Sequence, residues 1–267
     1  MKKGHGPSDQ GVSAKKHLGQ HFLKDPAISA RIAGLLEGET VHDILEVGPG
    51  TGALTQPLIK RFGSAVHVVE IDGESAEFLR NCGWLTADHV HEADLLRSTP
   101  EDLGMAGAFT VAGNFPYNIS SQILFKVLDW RDRVPECVGM FQKEVAERVC
   151  AGHGSKTYGI LSVLLQVYYR CEYAFTVEPG AFIPPPKVQS GVIKLVRTSE
   201  ADPDVDYAAL KRVVKAGFGQ RRKTLRNALR AGGFDADSIP EQWKGQRAEQ
   251  LSPHEFVELT QVLQPAQ

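Results

Sequence analysis

Four consecutive residues, Asn114-Phe115-Pro116-Tyr117, stand where the chain needs only a connector. The apolar run AFTV before them predicts a strand, and the run QILFKVL after them predicts a helix. Turns between a strand and a helix favour Gly, Asp or Ser. An amide, two aromatic rings and a proline at this point therefore indicate either chemistry or an unusual turn.

The motif suits chemistry on the exocyclic amine of an adenine. This nitrogen is a poor nucleophile because its lone pair is delocalised into the ring, and two hydrogen-bond acceptors would bend it toward a tetrahedral shape. Asn114 Oδ1 and the backbone carbonyl of Phe115 suit this task, and their bonds strengthen as positive charge develops on the nitrogen. Pro116 stiffens the backbone between them. Tyr117 offers an aromatic face on which an extruded base can stack.

A glycine-rich loop, DILEVGPGTGAL, places Gly48, Gly50 and Gly52 between a predicted strand and a predicted helix. Glycines at such a turn let the backbone approach a ligand closely. A tight turn without a ligand is the ordinary alternative. The spacing Gly48-x-Gly50-x-x-Ala53 also satisfies the dinucleotide-binding fingerprint, so an NAD-dependent oxidoreductase remains an alternative.

Two acids follow the next two predicted strands. Glu70 lies about twenty residues beyond the loop, where a carboxylate can accept hydrogen bonds from both ribose hydroxyls. Asp94, in HEADLL, can accept a bond from an adenine amino group. Glu46, directly before the glycines, would place a negative charge near the loop and disfavour a pyrophosphate. We therefore expect S-adenosylmethionine, which carries a sulfonium and no phosphate, and interpret Asn114 to Tyr117 as a methyl-transfer site.

Predicted strands and helices alternate through the first two thirds of the chain. The strands are VHDILEV, AVHVVEI, DHVHEA, AFTVAGN and ECVGMFQ, with YAFTV and SGVIKLVR later in the chain. The helices are AISARIAGLLEG, ALTQPLIKRF, ESAEFLRN, SQILFKVLDW, KEVAERVC and YGILSVLLQVYY, although the last also has the β-branched and aromatic content of a strand. This alternation predicts an α/β fold with a mostly parallel sheet.

An acidic, proline-containing break, RTSEADPDVD, precedes the predicted helices YAALKRVVKAGF, RRKTLRNALRAGG and SPHEFVELTQVL. Ser252 and Glu255 form a capping box at the start of the last one. We predict a disordered tail over residues 1–14, a Rossmann-like methyltransferase domain over residues 15–200 and a small all-helical domain over residues 201–267.

Composition limits the class of protein. A hydrophobic content of 42% and a charged content of 23% are ordinary for a globular domain. The four cysteines show no Cys-x-x-Cys pairing or zinc-ligand spacing, so we expect no metal and free thiols in a reducing cytoplasm. The N-terminal sequence MKKGHGPSDQGVSAKK lacks the apolar core of a signal peptide, and we expect a cytoplasmic monomer without a membrane span.

The net charge of −2 hides a basic segment. Residues 211–230 contain eight Lys and Arg and no acid, which favours contact with nucleic-acid phosphates over a merely solvated helix face. We expect Arg221, Arg222, Lys223 and Arg226 to contact phosphates, and Leu225 and Leu229 to pack inward. The proline-rich AFIPPPKVQSGV predicts a rigid wall beside the site and adds Lys187 as a further RNA contact.

The chain resembles the small-subunit ribosomal RNA adenine dimethyltransferase family along almost its whole length. The resemblance rests on KKHLGQHFLKD, EVGPGTGALT, VVEID, EADLL, GNFPYNISSQILFK, AFIPPPKVQSGV and GQRRKTLRNAL in this order. It implies that the chain converts two adjacent adenosines near the 3′ end of 16S rRNA to N6,N6-dimethyladenosine, in the immature small ribosomal subunit.

The resemblance also implies a methyl-donor site. By position it is formed by His21, Leu23, Gly48, Gly50, Glu70, Asp94 and Asn114. His21 replaces a more usual Asn, and Phe115 replaces a more usual Leu. The proline-rich segment is expected to shape the pocket for the target base. Two other functions remain open, namely modification of 23S rRNA, as in related resistance enzymes, and a role as a non-catalytic assembly factor.

Overall fold

The computed structural model describes residues 12–37, 43–198 and 203–263. Most of the predicted tail, residues 1–11, lies outside the described residues, as do parts of the predicted first strand and of the acidic break.

The helices are α1 (Pro26–Gly34), α2 (Thr55–Phe62), α3 (Gly73–Asn81), α4 (Ser120–Asp129), α5 (Lys143–Cys150), α6 (Ile160–Tyr168), α7 (Tyr207–Gly219), α8 (Leu225–Ala231), α9 (Glu241–Lys244) and α10 (Pro253–Leu263). The strands are β1 (Phe22–Leu23), β2 (Asp43–Val47), β3 (Val66–Glu70), β4 (Val90–Glu92), β5 (Phe109–Asn114), β6 (Glu136–Gln142), β7 (Tyr169–Val177), β8 (Phe182–Ile183) and β9 (Ser190–Arg197).

Seven strands form one sheet in the order β4-β3-β2-β5-β6-β9-β7. The strands from β4 to β6 are parallel, and β9 is antiparallel to β6. The predicted α/β class is therefore confirmed. Because β2 is followed by β3 on one side and pairs with β5 on the other, the strand order reverses between β2 and β5. In doubly wound sheets, ligands bind beyond the carboxyl ends of the strands at such a point.

The sequence pattern explains why these elements form. The central parallel strands are largely apolar, and Ile44, Val111 and Val138 are buried, as expected where both faces of a sheet are covered. Helix α1 begins where predicted, since Asp25 Oδ1 accepts the backbone N–H of Ala27 at 2.9 Å and Pro26 occupies the first helical position.

Two short strands were not predicted. β1 and β8 pair antiparallel, with Phe22 opposite Ile183 and Leu23 opposite Phe182. Each strand has two residues, and about 160 residues of chain separate them, so neither carries a local signal of its own. Their pairing holds the segment before α1 against the proline-rich segment.

The chain forms two compact units. One contains the described residues up to Ala146 and Glu172–Val196, and the other contains Glu147–Cys171 and the described residues from Arg197 onward. The predicted division at residue 200 places Glu147–Cys171 in the first domain, whereas the structure groups it with the second unit. The reason is that α6, which lies in this segment, packs against α7 and α10.

The second unit has its own apolar core. Leu225 and Leu229 on α8 are fully buried, as predicted, and so are Leu210 and Phe256. The capping box of α10 is confirmed, because Ser252 N–H donates to Glu255 Oε2 at 2.7 Å and Glu255 N–H donates to Ser252 Oγ at 3.2 Å. Across the described ranges, no helix is both long and apolar enough to span a bilayer.

Candidate active site

The glycine loop and the Asn-Phe-Pro-Tyr motif meet at the point where the strand order reverses. β2 ends at Val47 and β5 ends at Asn114, and the two strands are neighbours. A cleft opens there, beyond the carboxyl ends of these strands. It is lined by Leu18, Gly19, Gln20, His21, Phe22, Gly48, Gly50, Glu70, Ile71, Asn114, Phe115, Pro116 and Tyr117.

The loop needs its glycines for two reasons. Gly48, Gly50 and Gly52 have φ angles of 66°, 54° and 78°, in the left-handed region that other residues rarely adopt. A Cβ at Gly50 would also lie 2.7 Å from the ring of Phe22, and one at Gly52 would lie 2.5 Å from the ring of Trp84. The backbone can therefore border the cleft only if these side chains are absent.

The Asn114 side chain presents an oxygen as a free acceptor. Its Nδ2 donates to the backbone carbonyl of His21 at 2.8 Å. A carbonyl only accepts, so this bond sets which end of the amide is nitrogen. No described residue donates to Asn114 Oδ1, which is the atom that the proposed chemistry requires.

His21 in turn is held by the proline-rich segment. Its Nδ1 donates to the backbone carbonyl of Pro184 at 2.8 Å. Its ring lies 5.4 Å from the ring of Tyr117, between centroids. His21 therefore connects the proline-rich segment to Asn114 through its own side chain and carbonyl. The sequence did not indicate this link, because every residue has a backbone carbonyl and the residue type does not show which one accepts a bond.

The ring of Phe115 lies in the core, whereas its backbone borders the cleft. Its ring is buried and lies 4.8 Å from the ring of Phe141. A Cβ at Gly139 would lie 1.9 Å from the Phe115 ring, so this glycine on β6 provides the space that the ring fills. The Phe115 N–H donates to Met140 at 3.1 Å, while no described residue donates to its carbonyl. The carbonyl is thus available as the second acceptor.

Glu70 ends β3 at the cleft, as predicted. Its two oxygens accept the backbone N–H groups of Gly50 at 3.1 Å and of Asp72 at 3.0 Å. Burial raises the pKa of Glu70 above its usual range, and these N–H groups oppose the change. The carboxyl is therefore fixed beside the glycine loop, with lone pairs still available for ligand hydroxyls.

The role that we expected for Glu46 is wrong. Its side chain is fully buried, and burial raises its pKa to about 8, with a further contribution from the charge of Glu70. At neutral pH the Glu46 carboxyl is mostly protonated, so it supplies little negative charge to the loop. Its charge consequently does not discriminate between a dinucleotide and S-adenosylmethionine.

The cleft lining contains one carboxyl, Glu70, and no lysine or arginine. The hydroxyls of S-adenosylmethionine can donate to this carboxylate, and its positive sulfonium meets no cationic Lys or Arg side chain in the lining. Ile71, which is 55% exposed, adds an apolar surface next to Glu70. The residues present therefore fit S-adenosylmethionine.

Two predicted donor contacts lie outside the cleft lining. Leu23 is buried in β1 and belongs to the core. Asp94 follows β4, and its Oδ1 accepts the backbone N–H of Leu96 at 3.0 Å. Both remain predictions. Ile71 and Gln20 were not predicted, because an apolar residue after a strand is typical of the core and a lone glutamine of the surface.

The predicted RNA-binding side chains differ in whether they already have partners within the fold. Arg221 donates to the backbone carbonyls of Lys156 at 3.0 Å and Tyr158 at 2.8 Å, and Arg226 pairs with Asp237 at 2.7 Å. Arg222 and Lys223 are exposed and have no ion pair with a described residue.

Lys187 is exposed in the proline-rich segment of the first unit. Like the basic residues of the second unit, its contact with RNA stays a prediction. The side chains of Arg222, Lys223 and Lys187 are exposed and have no hydrogen-bond or ion-pair partner among the described residues.

This fold and site define a methyltransferase that uses S-adenosylmethionine. A solved dimethyladenosine transferase from Plasmodium falciparum has the same fold, with a TM-score of 0.75 at 24% identity over 90% of this chain and 96% of that one. The structure of the 23S rRNA methyltransferase ErmE gives a TM-score of 0.68 at 25% identity, over 91% of this chain and 99% of that one.

The chain belongs to the ribosomal RNA adenine dimethylase family, whose model matches residues 11–264. A protein of Cytophaga hutchinsonii named ribosomal RNA small subunit methyltransferase A is 51% identical over 256 residues, which are 94% of this chain and 98% of that protein. A protein of the same name from Porphyromonas gingivalis is 51% identical over 257 residues, or 95% and 98% of the two chains. The predicted family and cofactor are thus confirmed.

Proposed function

We propose that this chain dimethylates the N6 amines of two adjacent adenosines near the 3′ end of 16S rRNA, in the immature small ribosomal subunit. The observation that carries the proposal is the orientation of Asn114, whose amide is anchored by His21 so that Oδ1 remains a free acceptor beside the cleft. The names of the relatives from Cytophaga hutchinsonii and Porphyromonas gingivalis support the small subunit as the source of the RNA.

The acceptors prepare the amine for attack. In the first transfer Asn114 Oδ1 and the Phe115 carbonyl accept one N–H each, and in the second transfer one of them accepts the single N–H that remains. These bonds turn the nitrogen lone pair out of conjugation with the ring. Bound S-adenosylmethionine supplies a methyl group on a positively charged sulfur. With this group bound, each transfer would exchange one N–H bond of the amine for an N–CH₃ bond, leaving a neutral thioether and passing one proton to solvent. The acceptor bonds are strongest while the nitrogen is positive, so they favour the transition state.

The donor is held by groups on the other side of the cleft. Glu70 is placed to accept ribose hydroxyls, and Ile71 offers an apolar surface to the adenine ring. Gly48 and Gly50 let the backbone lie against the donor, because no side chain stands between them. His21 contributes its backbone carbonyl to Asn114 and its ring to the wall of the cleft.

Outside the cleft, the basic side chains without a partner among the described residues would contact the RNA. Arg222 and Lys223 are the strongest candidates for phosphate contact, and Lys187 is a third. Arg221 and Arg226 contribute less, since their guanidinium groups already have partners within the fold. We propose that the chain acts as a monomer in the cytoplasm, and Leu23 and Asp94 stay proposed donor contacts from the family resemblance.

Labelled donor and small subunits that lack the modification test the proposal. We expect label in N6,N6-dimethyladenosine near the 3′ end of 16S rRNA, identified by mass spectrometry of nuclease fragments. Mature subunits and 23S rRNA serve as controls and should take up little label. Label in 23S rRNA alone would assign the chain to the resistance-type function. Binding to immature subunits without label, at every salt and magnesium concentration tried, would favour the assembly-factor function.

A further inference from the structure

We propose that Ser190, the first residue of β9, is a positioning residue for methyl transfer because it fixes the ring of Tyr117 beside the cleft. The hydroxyls of these two residues are hydrogen-bonded to each other. Within the described ranges, neither hydroxyl has another partner. The inference rests on the proposed function, since it requires the Tyr117 ring to contact the target base.

Ser190 is a fixed point of the first unit. It is fully buried and lies opposite Gln142 of β6 in the antiparallel pair. The residue before it is also anchored, because the carbonyl of Gln189 accepts the N–H of Lys143 at 3.0 Å. The residue after it is tightly packed, since a Cβ at Gly191 would lie 2.8 Å from the Tyr173 ring. The Ser190 hydroxyl therefore has little freedom to move.

Tyr117 lies in the turn between β5 and α4, where the backbone alone does not fix a side chain. The ring lines the cleft and is only partly buried. A tyrosine rotates about two torsions, and a bond at the far end of the ring restricts both of them. Burial raises the pKa of the Tyr117 phenol, so the hydroxyl stays protonated and can take part in the bond as donor or acceptor.

The hydrogen bond between Tyr117 and Ser190 links two regions that serve different parts of the reaction. Tyr117 belongs to the motif that holds the amine, and Ser190 belongs to the proline-rich segment whose Pro184 holds His21. The same segment thereby orients Asn114 through His21 and Tyr117 through Ser190. Without the Ser190 hydroxyl, the Tyr117 ring would sample other rotamers, and an incoming base would have to order it at an entropic cost. Donor binding should not change, because the donor side of the cleft is untouched.

Three variants test the proposal, namely Ser190→Ala, Tyr117→Phe and the double variant. A net hydrogen bond of this kind corresponds to about a three- to tenfold change, so we expect each single variant to lose kcat/KM for RNA by that factor. If Ser190 acts through Tyr117, the double variant loses no more than either single one. We expect the donor Kd to stay within about twofold in all three.

Ser29→Ala is the matched control, because Ser29 is a buried serine of the first unit whose hydroxyl donates to the backbone carbonyl of Asp25 at 3.4 Å and has no other partner among the described residues. Thermal unfolding of all variants shows any loss of stability. The positioning role is wrong if Ser190→Ala has the kinetics of Ser29→Ala. It is also wrong if the losses of the two single variants multiply in the double variant. Tyr117→Phe keeps the test valid should Ser190→Ala fail to fold.

Fluorescence of an RNA with 2-aminopurine at the target position gives a second measurement. Stacking on Tyr117 quenches this base, so the wild type should quench it more than Ser190→Ala, and Ser29→Ala should match the wild type. Equal quenching by all three would overturn the proposal. The labelling experiment separates the two claims, since a wild type that labels no adenosine refutes the proposed function, whereas a wild-type initial rate of labelling by Ser190→Ala refutes only the positioning role.

Discussion

The carboxyl of Glu46 on β2 is fully buried within electrostatic reach of Glu70 on β3. Oε2 of Glu46 has no hydrogen-bond partner among the described residues. An ionised carboxyl in that place would lose its hydration and face the charge of Glu70, and the nearby Thr55 side chain offsets only part of this, so the pKa of Glu46 rises to about 8. The strand beneath the glycine loop thus carries a neutral acid at physiological pH.

This neutral acid makes stability depend on pH. The pKa of Glu46 is higher in the folded chain than in the unfolded one. The stability that the protonated Glu46 carboxyl contributes is therefore fully present below about pH 4.5 and is lost as pH rises through about 8. The loss in free energy of unfolding is on the order of 4 kcal/mol by pH 8. Glu46→Gln removes this titration, so chemical denaturation at several pH values should give a flatter profile than the wild type. Glu77→Gln, on the exposed face of α3, is the control and should retain the wild-type slope.

Gly50→Ala tests the glycine loop. Its φ of 54° and the Phe22 ring 2.7 Å from the added Cβ both oppose a side chain. We expect a loss of about 1–2 kcal/mol in free energy of unfolding and at least a tenfold loss of donor affinity, measured by denaturation and calorimetry. Gly34→Ala, at the end of α1 with open space around the added atom, should instead be neutral or slightly stabilising. Equal behaviour of the two variants would contradict this account of the loop.

Strongly periodic segments made much of the fold predictable. β6 and α5 have the predicted boundaries, because ECVGMFQ holds the uncharged run CVGMF between two polar residues and KEVAERVC is amphipathic. The border between a helix and a strand was less predictable. YGILSVLLQVYY was predicted as a helix with a strand possible, and α6 confirms the helix up to Tyr168, but β7 begins at Tyr169, four residues before the predicted strand YAFTV. Similarly, α8 begins at Leu225 instead of Arg221, so the basic residues precede the helix.

The site was predictable in its residue types and less so in its contacts. Asn114, Glu70 and the glycines reach the cleft because strand ends meet at one edge of a parallel sheet, which the alternating pattern already indicates. The His21 carbonyl and the Ser190 hydroxyl act from positions remote in sequence, and no local pattern indicates them. The neutral state of Glu46 was missed because a pKa depends on burial, which is a property of the fold.

Asn114→Ala separates chemistry from donor binding. The variant loses one of the two acceptors, so we expect kcat to fall about 100- to 1,000-fold. The donor Kd, measured by calorimetry, should change by less than about threefold, because Glu70 and the glycine loop are intact. Normal turnover in this variant would contradict the role that we assign to the amide. A large loss of donor affinity with kcat unchanged would instead make Asn114 a donor contact.

Two substitutions in the basic segment separate RNA contact from stability. Arg222→Ala with Lys223→Ala removes two free cations, so the salt dependence of RNA binding should weaken by about 1.4–1.8 in log–log slope while thermal stability stays unchanged. Arg221→Ala instead removes two hydrogen bonds to the carbonyls of Lys156 and Tyr158, and we expect a loss of about 1–2 kcal/mol in stability with a smaller change of slope. Filter binding over a range of salt concentrations and denaturation of both variants measure the two effects. The opposite pattern, with Arg221 dominating the slope, would show that its guanidinium leaves these carbonyls for phosphate when RNA binds.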